Sequence, residues 1–179
     1  MSFAALVCEC LVGVVFAVAA ATKLRDTAGF GEFADSVRDL APPFVARWSR
    51  PLAGAVVALE VSVPGLLLVP ATARVGLAVA GLLLTGFAVA IGAALRRGAG
   101  VACRCFGNTG VPVGRRHLVR TAVLLAAVGF GLAAPHAPPA AVDLASAVAV
   151  SLPFAVTLIA LDQIVELFAP SAPERVKES

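Results

Sequence analysis

The sequence of 179 residues has no tyrosine, one tryptophan and one methionine, and only 14% of its residues are charged. Soluble domains carry about 25% charged and about 45 to 50% apolar residues, whereas 60% of this chain is hydrophobic and its mean hydropathy is +0.96. A body of 18.0 kDa cannot bury so much apolar surface unless lipid covers its outside. The composition therefore excludes a soluble globular domain. No block of basic residues is interleaved with aromatic ones, so the sequence also lacks the pattern of a nucleic-acid-binding surface.

Long apolar stretches are present instead. They cover residues 3–22, 51–69, 75–95, 118–134 and 144–168. A helix needs about 17 to 25 apolar residues to cross a bilayer, and the fourth stretch is at the short limit. The stretches are continuous rather than alternating, which favours helices over membrane strands. The sequence predicts a single all-α domain over residues 1–179, a multi-pass bundle of about five transmembrane helices that contacts membrane lipid.

The connection between the first two stretches has the pattern of an amphipathic helix. Its apolar residues recur at helical spacing among charged ones, and they are Phe30, Phe33, Val37 and Leu40. This spacing predicts an interfacial helix that lies on the membrane surface.

Lysine and arginine are concentrated in alternate connections. The first connection carries five of them and the third carries five more, whereas the second has only Arg74. Since cytoplasmic loops carry the excess of positive charge, this bias predicts a protein of the cytoplasmic (inner) membrane with its N-terminus outside and a cytoplasmic tail over 170–179. A cleaved signal peptide is the less favoured interpretation of the first stretch, because no basic residue precedes it and Lys23 and Arg25 follow it.

The third connection contains two cysteines one residue apart. They are Cys103 and Cys105, which flank Arg104 and are followed by Phe106 and Gly107. Nearby arginines favour the thiolate, the nucleophilic form in disulfide exchange. A disulfide closed across one residue is strained and therefore easily reduced. The pair is thus a candidate redox dithiol; half of a metal site and two inert thiols are the alternatives, since zinc requires four ligands.

Charged residues within the apolar stretches form a second group of candidates, because an ion in hydrocarbon costs about 2.5 to 3.5 kcal/mol on insertion scales. Such residues include Glu60, Arg120, Asp162 and Glu166, and Lys23 directly follows the first stretch. The depths in the membrane that follow from the helical rise place Arg120 closer to Asp162 than to Glu60. We therefore expect Arg120 to reach Asp162 more easily than it reaches Glu60. The group is interpreted either as buried ion pairs that lock the helices together or as a proton acceptor for the dithiol.

Two further cysteines, Cys8 and Cys10, lie in the first stretch. Residues two apart in a helix point roughly 200° apart around its axis, so we expect no disulfide between them. They are either small apolar fillers or a second thiol pair.

These residues resemble a known family. The Cys103-Arg104-Cys105-Phe106-Gly107 string, Lys23 closing the first stretch, Glu60 in the second and Arg120 opening the fourth are similar to the MauE/DoxX family of redox-associated membrane proteins, and to its MauE branch in particular. The resemblance implies thiol-disulfide exchange with a thioredoxin-like (MauD-like) partner, possible maturation of a disulfide-containing enzyme of the methylamine dehydrogenase type, and, by analogy with other membrane thiol oxidases, a quinone as a possible electron acceptor.

Two other classes of function compete with this interpretation. The first is a non-catalytic membrane scaffold or assembly factor whose thiols bind metal or do nothing, and the second is a small-solute transporter. The predicted topology conflicts with a role in such maturation. The charge bias places Cys103 and Cys105 in the cytoplasm, whereas the maturation takes place outside it.

Overall fold

The computed structural model describes residues 3–25, 27–40, 46–96, 115–135 and 141–168. Side chains are described over the same ranges, apart from those of residues 40, 115, 116, 141 and 161–168. All regular structure within these ranges is helical. The prediction of an all-α, multi-pass bundle is confirmed.

Six helices follow one another along the chain. They are α1 (Phe3–Leu24), α2 (Thr27–Leu40), α3 (Ser49–Leu68), α4 (Ala73–Arg96), α5 (Arg115–Ala133) and α6 (Ala141–Phe168). Helices α1, α3, α4 and α6 are long and apolar enough to cross a membrane, and α5 contributes a shorter apolar segment, His117–Ala133. This agrees with the prediction of five apolar spans with a marginal fourth.

Helix α1 lies at the centre of the bundle and packs against α3, α5 and α6. Its residues Val12, Val15 and Phe16 are buried in one apolar core with Leu84 of α4 and Leu124 of α5. Such a bundle must hold its helices together without water to drive association, so close packing of the side chains supplies most of the attraction.

Helix α6 packs on α1 through small side chains. Ala147, Ser151 and Ala155, spaced one turn apart, are fully buried, whereas large residues such as Phe154 and Val156 on other faces are exposed. Small residues allow two helix backbones to approach closely in a membrane. Helix α6 is therefore the peripheral helix, with most of its described surface available to lipid.

Helices α3 and α4 form a hairpin whose close approach depends on a glycine. A methyl group at Gly76 would lie 3.0 Å from Cβ of Leu66 and 3.2 Å from the side chain of Leu67. In the turn, the Thr72 hydroxyl donates a hydrogen bond to the Leu66 carbonyl at 2.8 Å. This bond satisfies one of the carbonyl groups that the end of α3 would otherwise leave without a partner.

The prediction of an amphipathic helix between the first two apolar stretches is confirmed by α2. Other helices of the bundle cover part of its apolar face. Phe33 is fully buried in a cluster with Ala53 of α3 and with Ile91 and Ala94 of α4. Leu118, at the start of α5, also packs on this cluster. Its apolar stripe thus meets neighbouring helices rather than lipid alone.

This second cluster defines one end of the bundle, which we call the loop end. It brings together α2, the start of α3, the end of α4 and the start of α5. The connection that contains residues 97–114 joins the last two of these helices, so both of its attachment points lie at the loop end.

Candidate functional site

The most closely defined polar site is an ion pair between the first two long helices. The Lys23 ammonium of α1 lies 2.8 Å and 2.9 Å from the two carboxylate oxygens of Glu60 of α3. The two side chains are only 3% and 0% exposed. Two charges so far from solvent are stable only when they are paired and hydrogen-bonded.

The directions of the two side chains explain how these residues meet. Side chains of a helix tilt toward its N-terminus, and α1 and α3 run in opposite directions through the bundle. Lys23, in the last turn of α1, therefore extends inward from the loop end. Glu60, about 17 Å along α3 from its start, extends back toward that end, and the two charged groups meet between their backbone levels.

The Lys23 ammonium is enclosed on its remaining sides. It donates a further hydrogen bond of 3.4 Å to the Ala19 carbonyl, so all three of its donors have acceptors. It also lies 4.6 Å from the ring centroid of Phe33, a distance at which a cation is attracted to an aromatic face. Helix α2 thus covers the ion pair, and Lys23 extends toward Glu60 rather than toward water.

A proline increases the polarity of α3 at the same place. Pro64 has no backbone N–H, and in a regular helix that group would bond the carbonyl of the residue four positions earlier, which is Glu60. Glu60 therefore presents both a carboxylate and a backbone carbonyl without its intrahelical donor. The charged site and the weakest point of the α3 hydrogen-bond ladder coincide.

The start of α5 holds a separate group of buried polar side chains, His117, Arg120 and Thr121. An Arg120 guanidinium nitrogen lies 3.5 Å from the Leu158 carbonyl of α6, and the Thr121 hydroxyl donates to the His117 carbonyl at 2.8 Å. Leu158 is one turn before Asp162, whose side chain lies outside the described residues. The expected contact between Arg120 and Asp162 stays a prediction.

The other end of α1 carries the two cysteines and a carboxylate between them. Cys8 and Cys10 are partly buried free thiols, as their helical spacing leads one to expect. Glu9 is only 7% exposed, and its Cγ lies 3.8 Å from the position of a methyl group on Gly131 of α5. Glu9 was not predicted as a site residue, although it is, like Glu60, a carboxylate inside an apolar stretch.

The polar groups at the two ends of α1 are too far apart to contact each other. Glu9 and Lys23 are both buried but are separated by about 21 Å along the helix axis. The structure therefore brings Lys23 and Glu60 together, and it places Cys8 and Cys10 in a different part of the bundle. Cys103, Arg104, Cys105, Phe106 and Gly107 lie outside the described residues.

The helices and this site define a class, a multi-pass helical membrane protein with a buried ion pair between its first two spans. Comparison with known proteins identifies the family within that class. The profile of the family described as methylamine utilisation protein MauE matches residues 1–134. The chain therefore belongs to the MauE family, as the resemblance of its motifs indicated.

The matched part of the chain contains α1 to α5 and the Cys103–Cys105 motif, whereas α6 lies beyond it. Searches of curated proteins and of solved structures each found no match.

Proposed function

We propose that the protein is a membrane thiol-disulfide redox protein that exchanges electrons through Cys103 and Cys105. The observation that carries this proposal is the position of the Cys-x-Cys string, inside the part of the chain that matches the MauE family. Thiols one residue apart in a basic segment have the chemistry that disulfide exchange requires. Membership of this family also makes maturation of a disulfide-containing enzyme in methylamine utilisation the favoured context.

The proposed reaction partner is a thioredoxin-like protein. A thiolate of one protein attacks the disulfide of the other and forms a mixed disulfide, which the second thiol then resolves. One dithiol is oxidised with loss of two electrons and two protons, and one disulfide is reduced by the same amount. A quinone is the proposed acceptor of these electrons.

The loop end supports this proposal by fixing both attachment points of the cysteine-containing connection. Ala94, near the end of α4, and Leu118, near the start of α5, pack in the same cluster as Phe33. The ion pair beneath Phe33 ties α1 to α3. A connection whose two attachments are held by a packed cluster can present a reactive pair to a partner without disturbing the bundle.

A non-catalytic scaffold is the second candidate, and one observation favours it. The Lys23 ammonium already has an acceptor for each of its donors, which is the arrangement of a structural ion pair rather than of a group that awaits a ligand. In a scaffold, the same bundle would hold a partner enzyme while Cys103 and Cys105 stay unreactive or bind metal.

Thiol accessibility distinguishes these two functions. The variant Cys8→Ala/Cys10→Ala leaves Cys103 and Cys105 as the only thiols, and a membrane-impermeant maleimide is applied to intact cells and to inverted vesicles. We expect labelling to appear only after reduction, and to disappear again after mild oxidation. The preparation that becomes labelled also gives the side of the membrane, which the charge bias predicts to be the cytoplasm.

The matched control is Cys103→Ser and, separately, Cys105→Ser in the same background. Each control should be labelled without prior reduction, because its remaining thiol has no partner. Labelling of the two-thiol protein that needs no reduction and does not change with oxidant would contradict redox cycling and support the scaffold.

A further inference from the structure

The four cysteines of the chain form two pairs, and the fold separates the segments that carry them. Cys8 and Cys10 lie in the first half of α1, about 20 Å along the helix axis from Lys23 at the loop end. Cys103 and Cys105 belong to the connection whose two attachment points both lie at the loop end. Disulfide exchange requires that sulfur atoms touch, so electrons pass between the pairs only if one pair moves to the other.

The interior of the described bundle is closed between its two ends. Val12, Val15 and Phe16 of α1 are at most 1% exposed, and they pack in one core with Leu84 and Leu124. Protein interiors contain few voids larger than a water molecule. A segment of chain therefore cannot pass through this core unless the helices separate.

The lipid-facing outside of the bundle is closed to the connection for a different reason. Residues 97–114 include Arg97 and Arg104, and each would cost about 2.5 to 3.5 kcal/mol in hydrocarbon on insertion scales. Against lipid, only a helix satisfies its own backbone groups, and five glycines and a proline make this segment a poor helix former. We therefore expect Cys103 and Cys105 to stay at the loop end.

Cys8 and Cys10 also lack the geometry of a second redox pair. Helix α1 is continuous from Phe3 to Leu24, so the two side chains point about 200° apart around its axis. A disulfide needs Cβ atoms about 3.5 to 4.5 Å apart. The two residues are free thiols and cannot store two electrons as a disulfide while α1 stays helical.

We propose that Cys103 and Cys105 are reduced and reoxidised at one face of the membrane, that of the loop end, and that no electrons cross the bundle through Cys8 and Cys10. This inference rests on the proposed function and adds where its two reactants bind. Both reactants need the same two sulfur atoms, so they must take turns at one site.

The two half-reactions balance without a third redox group. In the first, the dithiol of the thioredoxin-like partner reduces the disulfide of Cys103 and Cys105 through a mixed disulfide and becomes a disulfide itself. In the second, an acceptor, by class the quinone proposed above or a second disulfide, takes two electrons and two protons from the pair. The pair closes again, and the acceptor leaves reduced.

An oxidant confined to one side of the membrane tests this proposal. Vesicles of the orientation that exposes the pair are treated with excess reduced thioredoxin and washed. Glutathione disulfide, which does not cross bilayers, is then supplied in excess either outside the vesicles or sealed inside them at equal concentration. After acid quenching, maleimide labelling and peptide mass spectrometry count the thiols of Cys103 and Cys105. We expect loss of both thiols with the outer compound and no loss with the sealed one.

Two variants serve as controls. Cys8→Ala/Cys10→Ala should be reoxidised at the rate of the parent protein, because neither thiol takes part. Ala71→Cys in that background places a thiol in the exposed α3–α4 turn, at the opposite end from the loop end. The sealed glutathione disulfide should modify this thiol, which demonstrates that it is reactive at its own face.

The possible failures are distinguishable. Reoxidation of the pair by the sealed compound, or a slower reaction in Cys8→Ala/Cys10→Ala, would show that electrons cross the bundle and would overturn this proposal while the redox function stands. A reduced pair that the outer compound does not oxidise would overturn it as well. A pair that thioredoxin does not reduce at all would contradict the redox function itself.

Discussion

At the scale of single residues, the buried Lys23–Glu60 pair is the feature with the largest expected energetic effect. Removing one partner of a buried ion pair leaves an uncompensated charge and costs about 3 to 5 kcal/mol, whereas replacing both by apolar groups is often close to neutral. Both side chains are almost fully excluded from solvent, so screening by salt or water should reduce this effect little.

We therefore predict that Lys23→Met and Glu60→Gln each lower the thermal unfolding midpoint of the purified protein, since each leaves one charge buried without its partner. The free energy of unfolding should fall by about 3 to 5 kcal/mol for each single change. The double variant Lys23→Met/Glu60→Met should recover most of it. Circular dichroism in a mild detergent measures all four proteins.

The control for this prediction is Arg38→Met, which breaks the exposed pair with Asp35 and should cost less than about 1 kcal/mol. A double Lys23/Glu60 variant that is less stable than either single variant would show that the two residues act independently, and would contradict the lock between α1 and α3.

At the scale of helices, the α3–α4 hairpin offers a test on two glycines of the same helix. Gly76→Ala places a methyl group 3.0 Å from Cβ of Leu66, an atom that cannot move without the backbone, so we predict a destabilisation of about 1 to 3 kcal/mol. Gly86→Ala meets nothing within 4 Å. It should be neutral or stabilise by about 0.4 to 1 kcal/mol, because alanine favours helix and restricts the unfolded chain.

Thermal unfolding of the two alanine variants, measured side by side, provides the comparison. Equal stability of Gly76→Ala and Gly86→Ala would mean that α3 and α4 separate easily at their turn, and would contradict the close packing described here.

The helices themselves could be predicted from the sequence to within about three residues at each end. An apolar stretch of some 20 residues has few alternatives in a membrane, so the stretch at 75–95 became α4 at Ala73–Arg96. The short length of the fourth stretch was also informative, because α5 contributes the shorter apolar segment, His117–Ala133.

The contacts between helices could not be predicted in the same way. Lys23 and Glu60 were both selected because charge is costly in lipid, but nothing in the spacing of a single chain shows that α1 and α3 are neighbours or that their side chains tilt toward each other. Glu9 was not predicted as a buried site residue, because its burial at 7% exposure depends on the packing of α1 against its neighbours. The sequence predicted that α2 lies at the membrane surface but did not predict its contact with α4. That contact also depends on how the helices are arranged in the bundle.

At the scale of the whole molecule, the distribution of basic residues predicts the orientation in the membrane. The first connection carries five lysines and arginines, and the turn between α3 and α4 is followed only by Arg74. If cytoplasmic connections hold the positive charge, the α1–α2 side lies in the cytoplasm and the α3–α4 turn lies outside.

Two exposed alanines test this orientation in a background without cysteine. Ala28→Cys, at the start of α2, should react with an impermeant thiol reagent only in inverted vesicles, and Ala71→Cys, in the α3–α4 turn, only in intact cells. The reverse pattern would place the N-terminus inside, and labelling of both positions in one preparation would show that α3 does not cross the membrane.

The ion pair has a consequence for how this protein is made. Lys23 precedes Glu60 by 37 residues in the chain, so α1 leaves the ribosome before α3 does. Glu60, near the middle of α3, then enters the bilayer without its partner at a cost of about 2.5 to 3.5 kcal/mol on insertion scales, and this cost is relieved when α1 and α3 associate. Insertion and assembly become separable steps, and an unassembled chain differs from a finished one by an unpaired charge in the lipid.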